Sequence, residues 1–242
     1  MKPYHKINSI FKHDPNTHQF TDEYSTSEIE YLAPCKWQFT EKMDGTNLRV
    51  VASYNLINLV TLNTQGGCYK GIGLGLYGSD TLLMGRTNRA QIPKPLVEKL
   101  REIFDNNNML DKLNNTFQYN NDSDFPTIIL YGEGYGKNIQ KGSKYIENDV
   151  GFILFDIKID NWWLERENVE GIAKSLGLDV VPIIGEGTLD EAIALVKGGL
   201  KSTFGDFEAE GIVARPKIFL KTRRGDRIIT KVKACDFDVK KK

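Results

Sequence analysis

One lysine stands out as a residue that could do covalent chemistry. Lys42 lies between two apolar runs and is followed by Met43, Asp44 and Gly45. A glycine at such a point permits a tight turn and lets a ligand approach the backbone closely. A lysine amine attacks an electrophile once it has lost its proton, which cationic neighbours and partial burial promote. The pattern Lys-x-Asp-Gly alone is equally typical of a solvated turn, so its meaning depends on the rest of the chain.

Charged residues recur at the ends of other apolar runs. Glu133 follows one such run, Glu210 precedes another, and Lys231 and Lys233 lie within the last. Because Lys231 and Lys233 are two positions apart on a predicted strand, both point to one face of it. Each residue also has an ordinary interpretation as a turn residue, an ion-pair partner or a solvated edge-strand charge. Their joint occurrence at four strand ends favours a shared site that includes Lys42.

The elements that must position these residues follow from the apolar pattern. We predict strands at 37–40, 48–53, 56–62, 81–84, 127–131, 150–159, 179–184, 210–215 and 227–233. Helices are predicted at 27–32, from Pro93 to about Phe104, at 167–176 and at 188–197, the last two ended by Gly177 and Gly198. The glycine-rich segment 66–78 and the Asn/Asp-rich segment 106–124 are expected to be loops. Strands and helices do not alternate regularly, so we expect an α+β fold of largely antiparallel sheets flanked by helices.

Composition limits the class of protein. The chain has 242 residues, 40% of them hydrophobic, which is enough for one domain with a good core. Its 32 basic and 32 acidic residues balance, but residues 215–242 hold 11 basic and three acidic residues, a net charge of +8. Such a basic segment favours a polyanionic partner, although a lysine tail can simply aid solubility.

The cysteines and the hydropathy pattern indicate where the protein works. Three widely spaced cysteines form neither a disulfide framework nor a metal motif, and they fit a reducing compartment. No apolar stretch approaches the length that spans a membrane, and the polar first residues do not resemble a signal peptide. We therefore expect a soluble, cytoplasmic protein.

The order of the charged motifs resembles that of the covalent nucleotidyltransferase superfamily, which includes polynucleotide ligases and RNA capping enzymes. Lys42–Gly45 resembles its nucleophile motif, Tyr131–Glu133 its third motif, and Val150–Asp156 the strand motif that follows. Glu210–Val213 resembles the fourth motif and Lys231–Lys233 the fifth. The match extends over about residues 37–233, nearly the whole chain.

The chain is most similar to ATP-dependent RNA ligases of the RNA ligase 2 type. That family shares four further features, which occur here as Trp37 before Glu41-Lys42, as Gly45-Thr46-Asn47, as Arg86-Thr87, and as Gly134 followed by Ile139–Gly142. The resemblance implies an adenylyltransferase domain with a nucleotide pocket between its sheets. It also implies an enzyme that uses ATP and Mg²⁺ or Mn²⁺ to attach AMP to Lys42. It would pass the AMP to a 5′-phosphate RNA end, possibly at a nick in a duplex, and then seal that end to a 3′-hydroxyl.

The resemblance also assigns roles to individual residues. Lys231 and Lys233 would contact the α-phosphate, with Lys42 as the nucleophile. Glu133 would bind the ribose hydroxyls, and Phe155 would stack on adenine, although a core aromatic is a real alternative for Phe155. Further expected ligands are the backbone beside Glu41 for the adenine edge, Arg86 and Asn47 for phosphate or the RNA end, and Glu210 and Glu133 for a hydrated metal ion.

The region after the last motif differs from many relatives, which carry an oligonucleotide-binding barrel or a helical domain there. Only nine residues follow Lys233, too few for a further domain. We therefore expect a single catalytic domain over residues 1–242 that either acts alone or relies on a partner protein to recognise RNA ends. A DNA ligase, a GTP-dependent capping guanylyltransferase and a non-catalytic nucleic-acid-binding module are the alternatives.

Overall fold

A computed structural model of the chain describes residues 3–17, 19–53, 72–74, 81–105, 109–118 and 125–237. The chain divides into two compact units: unit 1 comprises Met1–Tyr4 and Asp44–Val180, and unit 2 comprises His5–Met43 and Val181–Lys242. The boundary therefore falls within the Lys42–Gly45 motif. The predicted strand at 56–62 and most of the predicted loop at 66–78 lie outside the described residues. The described part of that loop, Ile72–Leu74, is a strand, so the loop prediction is wrong there. The prediction of a single domain over residues 1–242 remains a prediction.

The described residues of unit 1 form a six-stranded antiparallel sheet and three helices. Its strands are β5 (Thr46–Ala52), β6 (Ile72–Leu74), β7 (Thr81–Gly85), β8 (Ile128–Gly136), β9 (Val150–Ile159) and β10 (Trp162–Trp163), in the order β10-β9-β8-β5-β7-β6. The helices are α2 (Lys94–Asp105), α3 (Met109–Phe117) and α4 (Arg166–Leu176). Apolar side chains of all three helices pack with one face of this sheet. A smaller cluster, which includes Met84 and Tyr131, lies apart from that core.

In the part of unit 2 that the structure describes, there are a five-stranded sheet, a two-stranded sheet and two helices. The strands are β1 (Asn8–Ser9), β2 (Phe11–His13), β3 (Phe20–Tyr24), β4 (Trp37–Glu41), β11 (Ile183–Gly187), β12 (Gly211–Pro216) and β13 (Thr230–Lys233), and the helices are α1 (Ser27–Leu32) and α5 (Leu189–Lys197). The larger sheet has the order β1-β13-β12-β4-β11, and only its β1–β13 pair is parallel. Helix α5 begins with a reciprocal Thr188/Glu191 capping box, which satisfies two exposed backbone donors.

The mixed fold with largely antiparallel sheets is confirmed, and four local predictions need correction. Helix α3 occupies part of the predicted loop at 106–124, because Leu113 and Phe117, four positions apart, lie on one helical face and pack with the core despite the poor helix propensity of the Asn residues. Strand β8 continues through glycines expected to end it, where Gly132 and Gly134 leave room for neighbouring side chains. The predicted strand at 179–184 is displaced to β11, and the short strands β1, β2 and β3 were missed because they lack an apolar run.

Candidate active site

Lys42 lies directly after β4, where unit 2 holds both its backbone and its amine. Its backbone N–H donates to the Gly211 carbonyl at 2.9 Å. Its Nζ lies 2.5 Å from Glu210 Oε2 in an ion pair whose side chains are 23% and 21% exposed. The pair is therefore partly shielded from water and still open to a ligand.

Lys231 and Lys233 project from β13 on the face that the sequence predicted. Thr230 and Val232 are buried, whereas the two lysines between them are half-buried. Burial, followed by the nearby charges of Lys233 and Lys42, holds the pKa of Lys231 below its usual value. Unit 2 thus brings three lysines and Glu210 into electrostatic contact, as a polyanion site requires.

Lys233 experiences a different balance of effects. Burial lowers its pKa, but nearby negative groups outweigh burial, chiefly the Asp236 carboxylate, so the net pKa is raised. The Asp236 carboxylate lies 3.6 Å from Lys233 Nζ and 3.7 Å from His13 Nε2. Its surroundings therefore favour the charged form of Lys233, whereas those of Lys231 disfavour its charged form.

Gly211 allows the backbone next to Glu210 to approach strand β13 closely. Its φ of +152° falls in a region that favours glycine, and a Cβ there would collide with the Val232 carbonyl. On the other side of Glu210's backbone, its carbonyl accepts from the Ala234 N–H at 3.0 Å. The Glu-Gly pair of the motif thus reflects a close backbone approach between β12 and β13.

Glu41 has a side-chain role that the sequence analysis missed. Its carboxylate, only 2% exposed, accepts from the Ser202 hydroxyl at 2.6 Å, the Thr203 hydroxyl at 2.7 Å and the Thr203 N–H at 2.8 Å. The side chain therefore anchors the 202–203 segment to the end of β4. No sequence signal could have identified this contact, because the partners are about 160 positions apart.

In unit 1, Asn47 and Glu133 occupy directly paired positions of β5 and β8. Glu133 therefore lies within a strand, rather than at a strand end as predicted. Gly45 makes room for this pair, because a Cβ there would lie 2.9 Å from Glu133 Cγ and collide with the Gly134 carbonyl. Among the described residues, the buried Asn47 Oδ1 has no hydrogen-bond partner, which leaves it available to a ligand.

Phe155 lies at an irregularity in the β8–β9 ladder. Tyr131 pairs with Asp156 and Gly132 pairs with Leu154, so Phe155 is the extra residue of a bulge. A bulge lets two consecutive side chains share one face, and Tyr4 contacts both of them. Its hydroxyl donates to the buried Asp156 Oδ2 at 2.7 Å, and its ring lies edge-on to Phe155 with the centroids 5.1 Å apart.

Phe155 is half-buried and packs with a different cluster from Phe152. The two rings therefore point to opposite faces, as strand alternation suggests. Tyr4 was missed by the sequence analysis because it lies far from every motif. The remaining candidate of unit 1, Arg86, is exposed on the turn that follows β7.

The carboxylates of Glu210 and Glu133 are the candidate ligands for a divalent metal ion. Among the residues that the structure describes, no three His, Cys, Asp or Glu side chains form a metal-binding group. Glu210 belongs to unit 2 and Glu133 to unit 1, so each offers one carboxylate within its own unit. One carboxylate fits Mg²⁺, which keeps several water ligands and is commonly held together with substrate phosphates.

No described helix is both long enough and apolar enough to cross a bilayer.

The sequence of this chain matches a known protein family. A model of the RNA ligase family matches residues 35–233. No curated protein matches the chain in sequence.

Solved structures of Naegleria gruberi RNA ligase have a similar fold. A lysine variant with AMP and Mn is 19% identical, with 86% of this chain and 52% of that chain covered and a TM-score of 0.53. Another lysine variant with ATP and Mn is 18% identical, with 97% and 62% covered and a TM-score of 0.56. The form with PPi is also 18% identical, with 96% and 62% covered and a TM-score of 0.54. The chain thus spans roughly half to three-fifths of their length, and the likeness shows a shared fold.

Proposed function

The chain belongs to the RNA ligase family, and we propose that it is an ATP-dependent RNA ligase that works through a covalent lysyl-AMP on Lys42. The observation that carries the proposal is the half-buried group in unit 2, in which the Lys42 amine contacts Glu210 and shares an electrostatic environment with Lys231. A solvated turn lysine has no need of such neighbours.

The first step is nucleophilic substitution at the α-phosphorus of ATP. The neutral Lys42 amine forms an N–P bond, the bond from the α-phosphorus to the bridging oxygen breaks, and pyrophosphate leaves with that electron pair. To become neutral, the Lys42 ammonium of this ion pair passes one proton to Glu210, the nearest acceptor at 2.5 Å. The nitrogen releases a second proton to solvent as the N–P bond forms. Lys231 and Lys233 stabilise the charge on the phosphate, which is the main contribution a protein makes to phosphoryl transfer.

Unit 1 would supply the groups that recognise the nucleoside. We assign Glu133 to the ribose hydroxyls, Phe155 to the adenine face, and Asn47 and Arg86 to phosphate or the RNA end. The backbone beside Glu41, in unit 2, is assigned to the adenine edge. The Tyr4 contacts that hold the Phe155–Asp156 bulge support the assignment of Phe155.

Two further steps complete the reaction. The AMP passes from Lys42 to a 5′-phosphate RNA end, with cleavage of the N–P bond and formation of a phosphoanhydride. A 3′-hydroxyl then attacks the 5′-phosphorus, loses its proton and displaces AMP. Glu210 and Glu133 are the proposed ligands, through water, of Mg²⁺ or Mn²⁺, which neutralises phosphate charge.

The hairpin between β12 and β13 is the proposed contact for the RNA backbone. Its tip is an ordered turn in which the Thr222 N–H donates to the Asp226 carbonyl at 2.7 Å and the Gly225 N–H to the Thr222 carbonyl at 2.9 Å. The turn holds Arg223 and Arg224 exposed to solvent. Arginines on an ordered turn suit phosphate contacts, because little additional ordering is needed on binding.

We also propose a cytoplasmic location and a single catalytic domain. Cys35 and Cys235 are exposed free thiols, which fits the reducing cytoplasm. Single-domain action and reliance on a partner protein for RNA ends remain the two possibilities for the sealing steps. An RNA with a preformed 5′-adenylate separates them, since a chain that seals it unaided needs no partner.

The test is covalent labelling with α-labelled ATP and, separately, GTP in the presence of Mg²⁺, followed by joining of an RNA nick. We expect acid-labile label from ATP, lost in Lys42→Ala and retained in Lys36→Ala, whose lysine pairs with Glu186 at the surface. Label from GTP without joining would instead indicate capping chemistry. Joining of DNA but not RNA would indicate a DNA ligase. A folded protein of unmodified mass that takes no label would indicate a binding module.

A further inference from the structure

Arg49 is a buried charge that the proposed chemistry does not use. It lies on β5 between β7 and β8, opposite Met84 and Tyr131, and its side chain is 0% exposed. Burial of a guanidinium costs several kcal/mol unless hydrogen bonds compensate for the lost water. A strand of this sheet would be more stable with an apolar residue there, so the contacts of Arg49 indicate why an arginine is present.

Those contacts hold the turn that carries Arg86. Arg49 Nε and Nη2 donate to the Gly85 carbonyl at 3.1 and 3.0 Å. Nη2 also donates to the Asn88 side-chain oxygen at 3.0 Å. The guanidinium therefore fixes the backbone one residue before Arg86 and a side chain two residues after it.

The turn itself is tightly folded. The Ala90 N–H donates to the Thr87 carbonyl at 3.2 Å, and a Cβ on Gly85 would lie 2.8 Å from the Ala90 Cβ. Arg86 is exposed on this turn, whereas Gly85 is buried. An exposed arginine loses side-chain entropy when it binds phosphate, and a rigid base keeps its backbone from adding to that cost.

We propose that Arg49 is a positioning residue that acts through Arg86. Its planar fork of donors serves two acceptors at once, which a lysine ammonium at the same place cannot do with the same geometry. This inference rests on the proposed function, because it assumes that Arg86 contacts nucleotide phosphate or the RNA end. Arg49 has no direct contact with the substrate in this scheme.

The test is a double-mutant cycle in the full chain. Self-adenylation with ATP and sealing of RNA with a preformed 5′-adenylate are timed separately for Arg86→Ala, Arg49→Lys, Asn88→Ala and the two double variants that combine Arg86→Ala with the others. We expect Arg49→Lys and Asn88→Ala each to slow the step that Arg86→Ala slows, by about tenfold, because small misplacements are costly in phosphoryl transfer. In the Arg86→Ala background, either change should slow that step by less than about twofold.

The comparison of rates in the wild-type and Arg86→Ala backgrounds separates positioning from a structural role. A purely structural effect of Arg49→Lys would lower both rates equally in the two backgrounds, and that result would overturn the inference. It is also overturned if Arg86→Ala slows neither step, or if Arg49→Lys and Asn88→Ala leave both rates unchanged. Arg166→Lys, which alters a surface ion pair with Glu170 on α4, is the control for exchanging an arginine in the same unit.

The proposed function can fail independently of this inference. If wild-type protein takes no label on Lys42, the ligase proposal fails before the cycle is informative about it. If wild-type protein is labelled and seals RNA, the ligase proposal stands, and the cycle then tests Arg49 alone.

Discussion

The two units hold their charged residues in different ways. In unit 1, Arg49 and Asp156 are both 0% exposed and hydrogen-bonded within the same unit, Arg49 to the Gly85 carbonyl at 3.0 Å and Asp156 to the Tyr4 hydroxyl at 2.7 Å. In unit 2, Lys42, Glu210 and Lys231 are half-buried and interact mainly with one another. Glu41 of unit 2 resembles the buried charges of unit 1, because it is 2% exposed and its hydrogen bonds anchor the 202–203 segment.

This difference separates groups that position from groups that react. A fully buried charge must have its hydrogen bonds satisfied within the protein, so it has little capacity left for a ligand. A half-buried charge whose ionic partner is also half-buried can exchange that partner for phosphate. We therefore expect substitutions in the unit 2 lysine group to change the rate of chemistry, and substitutions of the nucleoside groups of unit 1 to change nucleotide affinity.

The largest expected effect is on Lys231. Lys231→Met should lower the rate of self-adenylation at saturating ATP by about 10²–10³-fold, because it removes a charge aimed at the reacting phosphate. Single-turnover labelling measures this rate. Lys221→Met, at an exposed hairpin lysine, is the matched control and should be near wild type. A variant whose only defect is a higher KM for ATP would contradict the distinction between the two units.

Phe155 tests whether the nucleoside groups of unit 1 control nucleotide affinity. Phe155→Ala should raise the KM for ATP by about tenfold, since stacking of a base on an aromatic ring contributes roughly 1–3 kcal/mol. The labelling rate at saturation should change much less. Phe155→Tyr keeps the ring and should stay close to wild type. An unchanged KM in Phe155→Ala would assign this ring to the core alone.

A smaller effect is expected for RNA binding by the hairpin. The double variant Arg223→Glu/Arg224→Glu should weaken RNA binding and reduce the slope of log affinity against log salt by about 1–2, through loss of phosphate contacts. Self-adenylation should not change. Arg101→Glu, at an exposed residue of α2, controls for a single change of surface charge. Equal salt slopes in the variant and wild type would exclude the hairpin from the RNA path.

The smallest effect is on stability and has opposite signs for the two motif lysines. Below the lowered folded-state pKa of Lys231, both the native and unfolded states are protonated, so burial of the charge destabilises the fold. Lys231→Met should therefore raise the Tm at pH 7, by on the order of 2–4 °C. This gain should shrink as the pH rises toward the usual lysine value of 10.5.

Lys233 provides the matched comparison. Its raised pKa means that its stabilising contribution is present below the usual value of 10.5 and is lost as the pH rises through the higher folded-state pKa. Lys233→Met should therefore lower the Tm at pH 7. Thermal melts from pH 7 to 10 measure both variants. Shifts of the same sign would show that the two lysines experience the same balance of burial and charge.

Much of the candidate site was predictable from residue types. Alternation along β13 placed Lys231 and Lys233 on one face, and the structure has them there. The strand that ends before Lys42 was also predicted correctly, because Trp37 and Phe39 alternate with more polar residues. Glu133 was placed at a strand end, which was wrong, since its flanking glycines accommodate neighbouring side chains rather than end the strand.

The sequence by itself determined which chemical groups this protein carries and which face of a strand each occupies. Those properties depend on side-chain type and on the two-residue period of a strand, both of which are local. Only the tertiary structure decided which charges are immobilised. Tyr4 is 152 positions from Asp156, Glu41 is 161 from Ser202, and Arg49 is 36 from Gly85. Such contacts depend on which strands become neighbours and on how tightly their side chains pack, and no local pattern records either.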